Sequence, residues 1–289
     1  MSRKIISANL GMILVTMIWG ITFVMVKDAL NDAPPFIFLA LRKGLAFAAG
    51  VIYLNRNIKK ITTLEIIGGL VCALALYAGY SFQNFGLILT TPSKSAFITS
   101  VSVILVPVLL LLFGLQKVVL KIWLIIAVAL IGLYILLNPM GGEVNFGDIL
   151  TLGCALSFAI HIIMQDKFNK EKVVNFFVIQ STTAALLSFL ASLIVEDIHQ
   201  VVFSNEAIIA VLITGILGTT FALLVMIWAQ KILSASETAI IIAMEPVFAA
   251  LFSVYFGYEI LGLISYMGAG IVVFAIIFCE LSRSNKLVT

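Results

Sequence analysis

Charge is what this chain has least of. Asp, Glu, Lys and Arg make up 11% of its 289 residues, where soluble domains carry about 25%. The hydrophobic fraction is 62% and the mean hydropathy is +1.20. A water-soluble domain could not hide that much apolar surface, so the exterior must be apolar too and face lipid. Cysteine is also scarce. Cys72, Cys154 and Cys279 lie far apart inside apolar runs and match no zinc or redox spacing. The motifs GxxxxGK[ST], HExxH and GxSxG are all absent, which excludes a P-loop ATP motor and points away from metalloprotease or serine-hydrolase chemistry. The expectation is a protein without cofactor or metal that is not an enzyme. A net charge of +3 is too small to suggest nucleic acid as a partner.

What the chain has instead is long apolar runs. Ten stand out, at roughly 9–27, 35–54, 64–85, 94–114, 119–137, 147–165, 173–194, 207–229, 236–256 and 262–280. Each approaches the length a bilayer requires of a helix. Barrel strands would be half as long and would alternate polar with apolar residues. The fold expected is therefore an all-α integral membrane protein with ten transmembrane helices. The first run follows Arg3 and Lys4 but lacks a small-residue cleavage site, so it reads as a retained helix rather than a signal peptide. With the N-terminus in the cytoplasm, alternating ten spans put most of the 17 basic residues on the cytoplasmic side, among them Arg56, Lys59, Lys60, Lys117 and Lys167. That bias predicts cytoplasmic N- and C-termini in the cell membrane.

The two halves repeat one another. Asn9-Leu10-Gly11 matches Asn145-Phe146-Gly147. Ser95-Ala96 and Phe113-Gly114 match Thr238-Ala239 and Phe256-Gly257, both at a separation of 143 residues. Residues 1–142 and 143–289 are thus expected to be two five-helix repeats. Because five is odd, the second must be inverted relative to the first, a plan shared by many secondary transporters.

Several residues do not belong in lipid. Arg42 and Lys43 lie about eight residues into the second span, and adjacent helix positions diverge by about 100°. One is expected to face a cavity and attract an anionic group, with Arg42 the preferred choice. The other is expected to snorkel toward the headgroups. A structural ion pair is the alternative. Glu245-Pro246 falls in the middle of the ninth span. The carboxyl there is a proton site, a ligand for an amine, or a neutral acid bonding a neighbouring helix. Pro246 and Pro107 are candidate hinges. Trp19 and Gly20 occupy the middle of the first span; the indole either lines a cavity or packs, and Gly20 permits close helix approach. Tyr80, Gln83 and Asn84, spaced i, i+3, i+4, form a polar stripe with Tyr77 one turn before it. The stripe suits a wet interior or interhelical hydrogen bonds. His161, with Ser157 one turn earlier, is expected to pack; Trp228 and Gln230 resemble a helix end. Ser234 and Glu237 have capping-box spacing.

The phrases IWGITFVMVK at 18–27, PFIFLALRKGLA at 35–46 and SASETAIIIAMEPVFAALFSVYFGYE at 234–259 resemble the EamA-type members of the drug/metabolite transporter superfamily. The resemblance spans roughly 8–281. It implies alternating access without ATP hydrolysis and a central cavity in which the fourth and ninth helices are prominent. Trp19, Arg42 and Glu245-Pro246 fall within the family phrases. The expected activity is secondary transport of a small polar or zwitterionic metabolite, in the form of amino-acid export. The alternative is a proton-coupled importer or exchanger with Glu245 as the proton site.

Overall fold

In hydrocarbon every backbone N–H and C=O needs a partner within the protein, and this chain meets the requirement with helices. The structure, a computed structural model, describes residues 3–54, 61–115, 119–137, 145–168, 173–197, 199, 201–258, 260 and 262–284. Among these there is no β-strand. The helices are α1 (Arg3–Ala29), α2 (Pro35–Leu54), α3 (Thr63–Leu89), α4 (Pro92–Thr99), α5 (Ser102–Leu112), α6 (Leu120–Leu137), α7 (Phe146–Phe168), α8 (Val173–Val195), α9 (Asn205–Gly215), α10 (Ala222–Ala229), α11 (Ala235–Ile242), α12 (Glu245–Tyr255) and α13 (Leu263–Ser284). A π-helical turn, Ile216–Phe221, joins α9 to α10. Taken with the paired segments α4–α5, α9–α10 and α11–α12, the described residues make ten rods in a multi-pass bundle. Among the described residues, seven stretches are long and apolar enough to cross a membrane, and Leu120–Leu136 and Leu263–Phe278 are shorter apolar helices. The outward residues are those lipid would cover, such as Leu10, Leu124, Ile194 and Phe274.

Local chemistry sets the helix ends. Thr62 with Glu65 and Ser234 with Glu237 form complete capping boxes, which satisfy two N-terminal donors reciprocally. Thr91 caps α4, and Pro92 opens it. The α5 and α12 ends are alike. Gly114 and Gly257 have φ of +61° and +81°, and Leu115 N and Tyr258 N donate back to Leu110 O and Ser253 O. That is the left-handed glycine stop, which a side chain would strain. These two stops are the repeated Phe-Gly pairs of the sequence.

Packing between the helices relies on small residues, as expected where lipid tails compete for apolar contact. The broadest seams are α3 on α7 and α8, α2 on α8, and α6 on α13. A Cβ on Gly86 would lie 2.9 Å from Gly147 O, and one on Gly268 would lie 2.1 Å from Leu136 N. α1 sits centrally, touching α9 through α12 as well as α3 and α4.

The bundle face opposite the start of α1, here called the far face, is tied by polar bonds that join the two halves of the chain. Lys94 Nζ pairs with Asp148 Oδ2 at 2.7 Å. Thr90 donates to Asp148 Oδ1 and Asn145 Nδ2 to Leu89 O. The Glu196 carboxylate accepts from Phe36 N and Ile37 N at 2.7 and 2.9 Å, the arrangement a helix N-terminus favours. Ser204 donates to Asp32, and Tyr258 donates to Asp28.

Candidate functional site

A cavity lies where α1, α2, α3, α7, α10 and the two segmented rods α4–α5 and α11–α12 converge. Most of its wall surface is apolar, and polar atoms enter it from nine residues: Trp19 and Thr22 on α1, Arg42 on α2, Tyr80 and Gln83 on α3, Thr99 and Ser102 at the α4–α5 junction, His161 on α7, and Glu245 at the start of α12. An apolar enclosure with few convergent polar groups is the usual form of a small-molecule site. The space between the walls is about 530 Å³, of which about 40 Å³ is open to the centres of water molecules. One water needs roughly 10–15 Å³ on that measure, so the free space has room for only a few waters.

Arg42 and Lys43 are both fully buried. The expectation that one of them would snorkel to the headgroups is therefore corrected. Both cations converge on one ring: Arg42 Cζ is 4.6 Å and Lys43 Nζ 4.1 Å from the centroid of Tyr80. Long side chains bend over a large aromatic face that attracts cations, which the 100° separation of their Cα–Cβ bonds does not prevent. Only Arg42 of the two lines the cavity. Its Nε donates to Thr219 Oγ1 at 2.8 Å, and its Nη2 lies 3.5 Å from Gly218 O. Lys43 Nζ has no hydrogen-bond partner among the described residues.

The π-helical turn explains how Arg42 is held. A wider turn offsets the backbone ladder, and Gly218 O accepts from Trp19 Nε1 at 2.8 Å. Residues of the first half, Trp19 and Arg42, thus grip a backbone irregularity in the second. Gly218 itself has to be small: a Cβ there would be 2.9 Å from Thr22 Cγ2.

Glu245 is the first residue of α12, is buried, and makes no hydrogen bond or ion pair among the described residues. Its counterpart at the repeat separation is Ser102, the first residue of α5. The interruptions of the two rods are likewise in register, at Ser100–Val101 and Ala243–Met244. Pro246 adjoins its break, whereas Pro107 lies inside α5, beyond the break in its own rod. Gly20 rests on α12, where a Cβ would be 2.5 Å from Phe248 Cβ and 2.9 Å from Ala249 N.

The polar stripe divides. Tyr80 and Gln83 reach the cavity, while Asn84 does not line it and donates Nδ2 to Pro35 O at the start of α2. Tyr77 stacks on Phe36. His161 borders the cavity and pairs with Gln180 at 3.1 Å. Gln230 joins Gln165 and the Ile162 carbonyl, and Trp228 is partly exposed. The sequence reading missed Thr99, Ser102, Gly218 and Thr219. Ser102 was findable as the residue 143 places before Glu245; nothing in the run ILGTTF announces a π-helical turn.

A largely apolar cavity with convergent polar groups, inside a multi-pass helical bundle, suits a carrier. The comparisons agree. The model of the EamA-like transporter family matches the chain twice, over residues 6–138 and 145–280, and the chain belongs to that family, within the drug/metabolite transporter superfamily. An uncharacterized transporter of Archaeoglobus fulgidus is 33% identical over 96% of this chain and 87% of its own length. The uncharacterized transporter YoaV of Bacillus subtilis is 25% identical over 86% of this chain and 87% of its own. A protein of known crystal structure superposes with a TM-score of 0.78 at 18% identity, covering 98% of this chain and 99% of that one, a likeness of fold. The chain is a multi-pass membrane protein with the secondary-transport activity of its superfamily, which is not a family of enzymes.

Proposed function

We propose that this carrier is an exporter of small zwitterionic metabolites, of the amino-acid class, working by alternating access between two inverted five-helix repeats, 1–142 and 143–289. The observation that carries the reading is that Arg42 and Glu245 face one cavity from opposite halves of the chain. Arg42 is already oriented by Thr219, so a substrate carboxylate meets a preset guanidinium. Glu245 makes no hydrogen bond or ion pair among the described residues, so its carboxyl is available to an ammonium group. Trp19, Tyr80 and Gln83 complete the binding site, and the apolar remainder of the wall suits a substrate whose side chain is not strongly polar.

Ten spans with both termini in the cytoplasm follow the basic bias of the sequence, which makes the far face the outer one. Its cross-half bonds then close the outer side, and binding requires the cavity to widen. The paired breaks at Ser100–Val101 and Ala243–Met244, with Pro246 and, further along, Pro107, supply the places to bend. Gly20 keeps α1 and α12 in contact during that motion. Asn84 serves by fixing α2 to α3.

One observation favours a second reading. A buried carboxyl without a partner suits a proton carrier as well as an amine ligand, so proton-coupled import through Glu245 is the alternative. Metabolite profiling of overexpressing cells, inside and outside, separates the two. External accumulation of particular amino acids supports export. Uptake of a labelled compound with acidification of the interior, lost in Glu245→Gln, supports the importer.

A further inference from the structure

A second cavity lies outside the transport site, on the bundle surface between α2 and α9 toward the far face. Its volume is about 370 Å³. Its walls are apolar: Ala40, Leu41 and Leu45 on one side, Phe203, Ile208 and Leu212 on the other. At its floor is Gly44, where a Cβ would meet nothing within 4 Å. The groove runs from the start of α2 to Leu45, so at 1.5 Å per residue it reaches about 15 Å below the far face. That is the depth of one leaflet's acyl chains. Water is unfavourable in so apolar a cleft, and the surrounding medium at this depth is lipid.

The rim suggests which lipid. Asp32, partly exposed and accepting from Ser204, adjoins the lining residue Ala33, and Glu206, exposed, adjoins Ala207. Residues 28–41 and 197–215 hold no lysine or arginine; of the flanking cations, Lys27 donates to the Leu87 and Ile88 carbonyls, and Arg42 and Lys43 are buried. An acidic rim repels anionic headgroups and attracts an ammonium. We propose that the α2–α9 groove is a specific site for one acyl chain of a phospholipid with a free ammonium headgroup, phosphatidylethanolamine in type, with Asp32 and Glu206 facing the headgroup.

The test uses the full chain purified in mild detergent and reconstituted in nanodiscs of mixed phosphatidylethanolamine and phosphatidylglycerol. Phosphatidylethanolamine carrying a diazirine on its acyl chain is photolysed in the intact protein, and the adducts are mapped. Adducts concentrated in 201–212 and on α2 are expected. Gly44→Phe puts a ring into the groove from a position where a Cβ meets open space and should lower that labelling at least about tenfold, the equivalent of roughly two displaced methylenes. Gly270→Phe, where a Cβ also meets open space, is the matched control and should leave labelling unchanged. Asp32→Asn with Glu206→Gln should remove the preference over phosphatidylglycerol probes while leaving chain labelling in place. Labelling spread evenly over the lipid-facing helices, or unchanged in Gly44→Phe, would overturn the site. Equal labelling of the unmodified chain by both headgroups would overturn the ammonium assignment.

Discussion

Replacing Thr219 by valine keeps the shape of the side chain and removes one oxygen, the acceptor for Arg42 Nε at 2.8 Å. The guanidinium is fully buried, so water does not readily take the vacant place. The other hydrogen bond of the guanidinium, Nη2 to Gly218 O, is long at 3.5 Å. A hydrogen bond to a charged group contributes roughly 1.5–3 kcal/mol, and its loss in a buried setting falls at the upper end. With about 2–4 °C of melting shift per kcal/mol for large domains, Thr219→Val should lower the melting temperature in detergent by about 6–12 °C. Thr219→Ser keeps the acceptor and should recover most of that. The decisive comparison is a double-mutant cycle with Arg42→Met. If Thr219 acts by holding the guanidinium, valine at 219 should cost little once Arg42 is gone, giving a coupling of about 1.5 kcal/mol or more. Equal costs in both backgrounds would refute the reasoning and reduce Thr219 to a packing residue of the π-helical turn.

Further outcomes follow from the same geometry. Gly20→Leu places a branched side chain against Phe248 and the Ala249 backbone, where even a Cβ is 2.5 Å from a neighbour; overpacking of about 3 kcal/mol should show as loss of folded, monodisperse protein on size-exclusion chromatography. Gly114→Ala and Gly257→Ala each put a side chain at positive φ at a cost of about 1 kcal/mol, read as a melting shift of a few degrees with transport retained. Asp148→Asn weakens the Lys94 pair and the Thr90 bond together; in the inverted-repeat reading this loosens the outer closure, and accessibility of an engineered cysteine at Gln83 to an outside thiol reagent should rise.

Much of the fold was legible because lipid imposes simple rules. Runs of apolar residues had to be helices, and the ends of α3 and α11 fall at capping boxes readable as Thr-x-x-Glu and Ser-x-x-Glu. The Phe-Gly repeat proved to be a pair of left-handed stops. The site was legible only in part. Trp19, Arg42, Tyr80, Gln83 and Glu245 converge on one cavity, since polar groups in lipid must find an interior. Which interior each finds depends on neighbours the sequence does not name. Asn84, on the same stripe as Tyr80, meets the Pro35 carbonyl instead. Lys43 was expected at the headgroups because helix geometry separates it from Arg42, yet an aromatic ring on another helix gathers both. Proline suggested the break in each rod, but the first rod breaks at Ser100–Val101, well before Pro107, following the register of its counterpart. Backbone hydrogen bonding shifted by one residue, as in Ile216–Phe221, leaves no mark in composition or period.

The two charges of the cavity make the central claim directly measurable. Purified protein in liposomes loaded with an unlabelled amino acid, the species chosen from cellular profiling, is presented with the labelled form outside, and counterflow is followed for the unmodified chain, Arg42→Gln, Glu245→Gln and the pair. A clamp between the halves predicts saturable counterflow that falls at least about tenfold in each single variant, the equivalent of about 1.4 kcal/mol of lost binding, while Gln variants that remain folded keep their elution profile. Full counterflow in both single variants would contradict it, and the polar wall at Tyr80 and Gln83 would then have to bind the substrate without either charge.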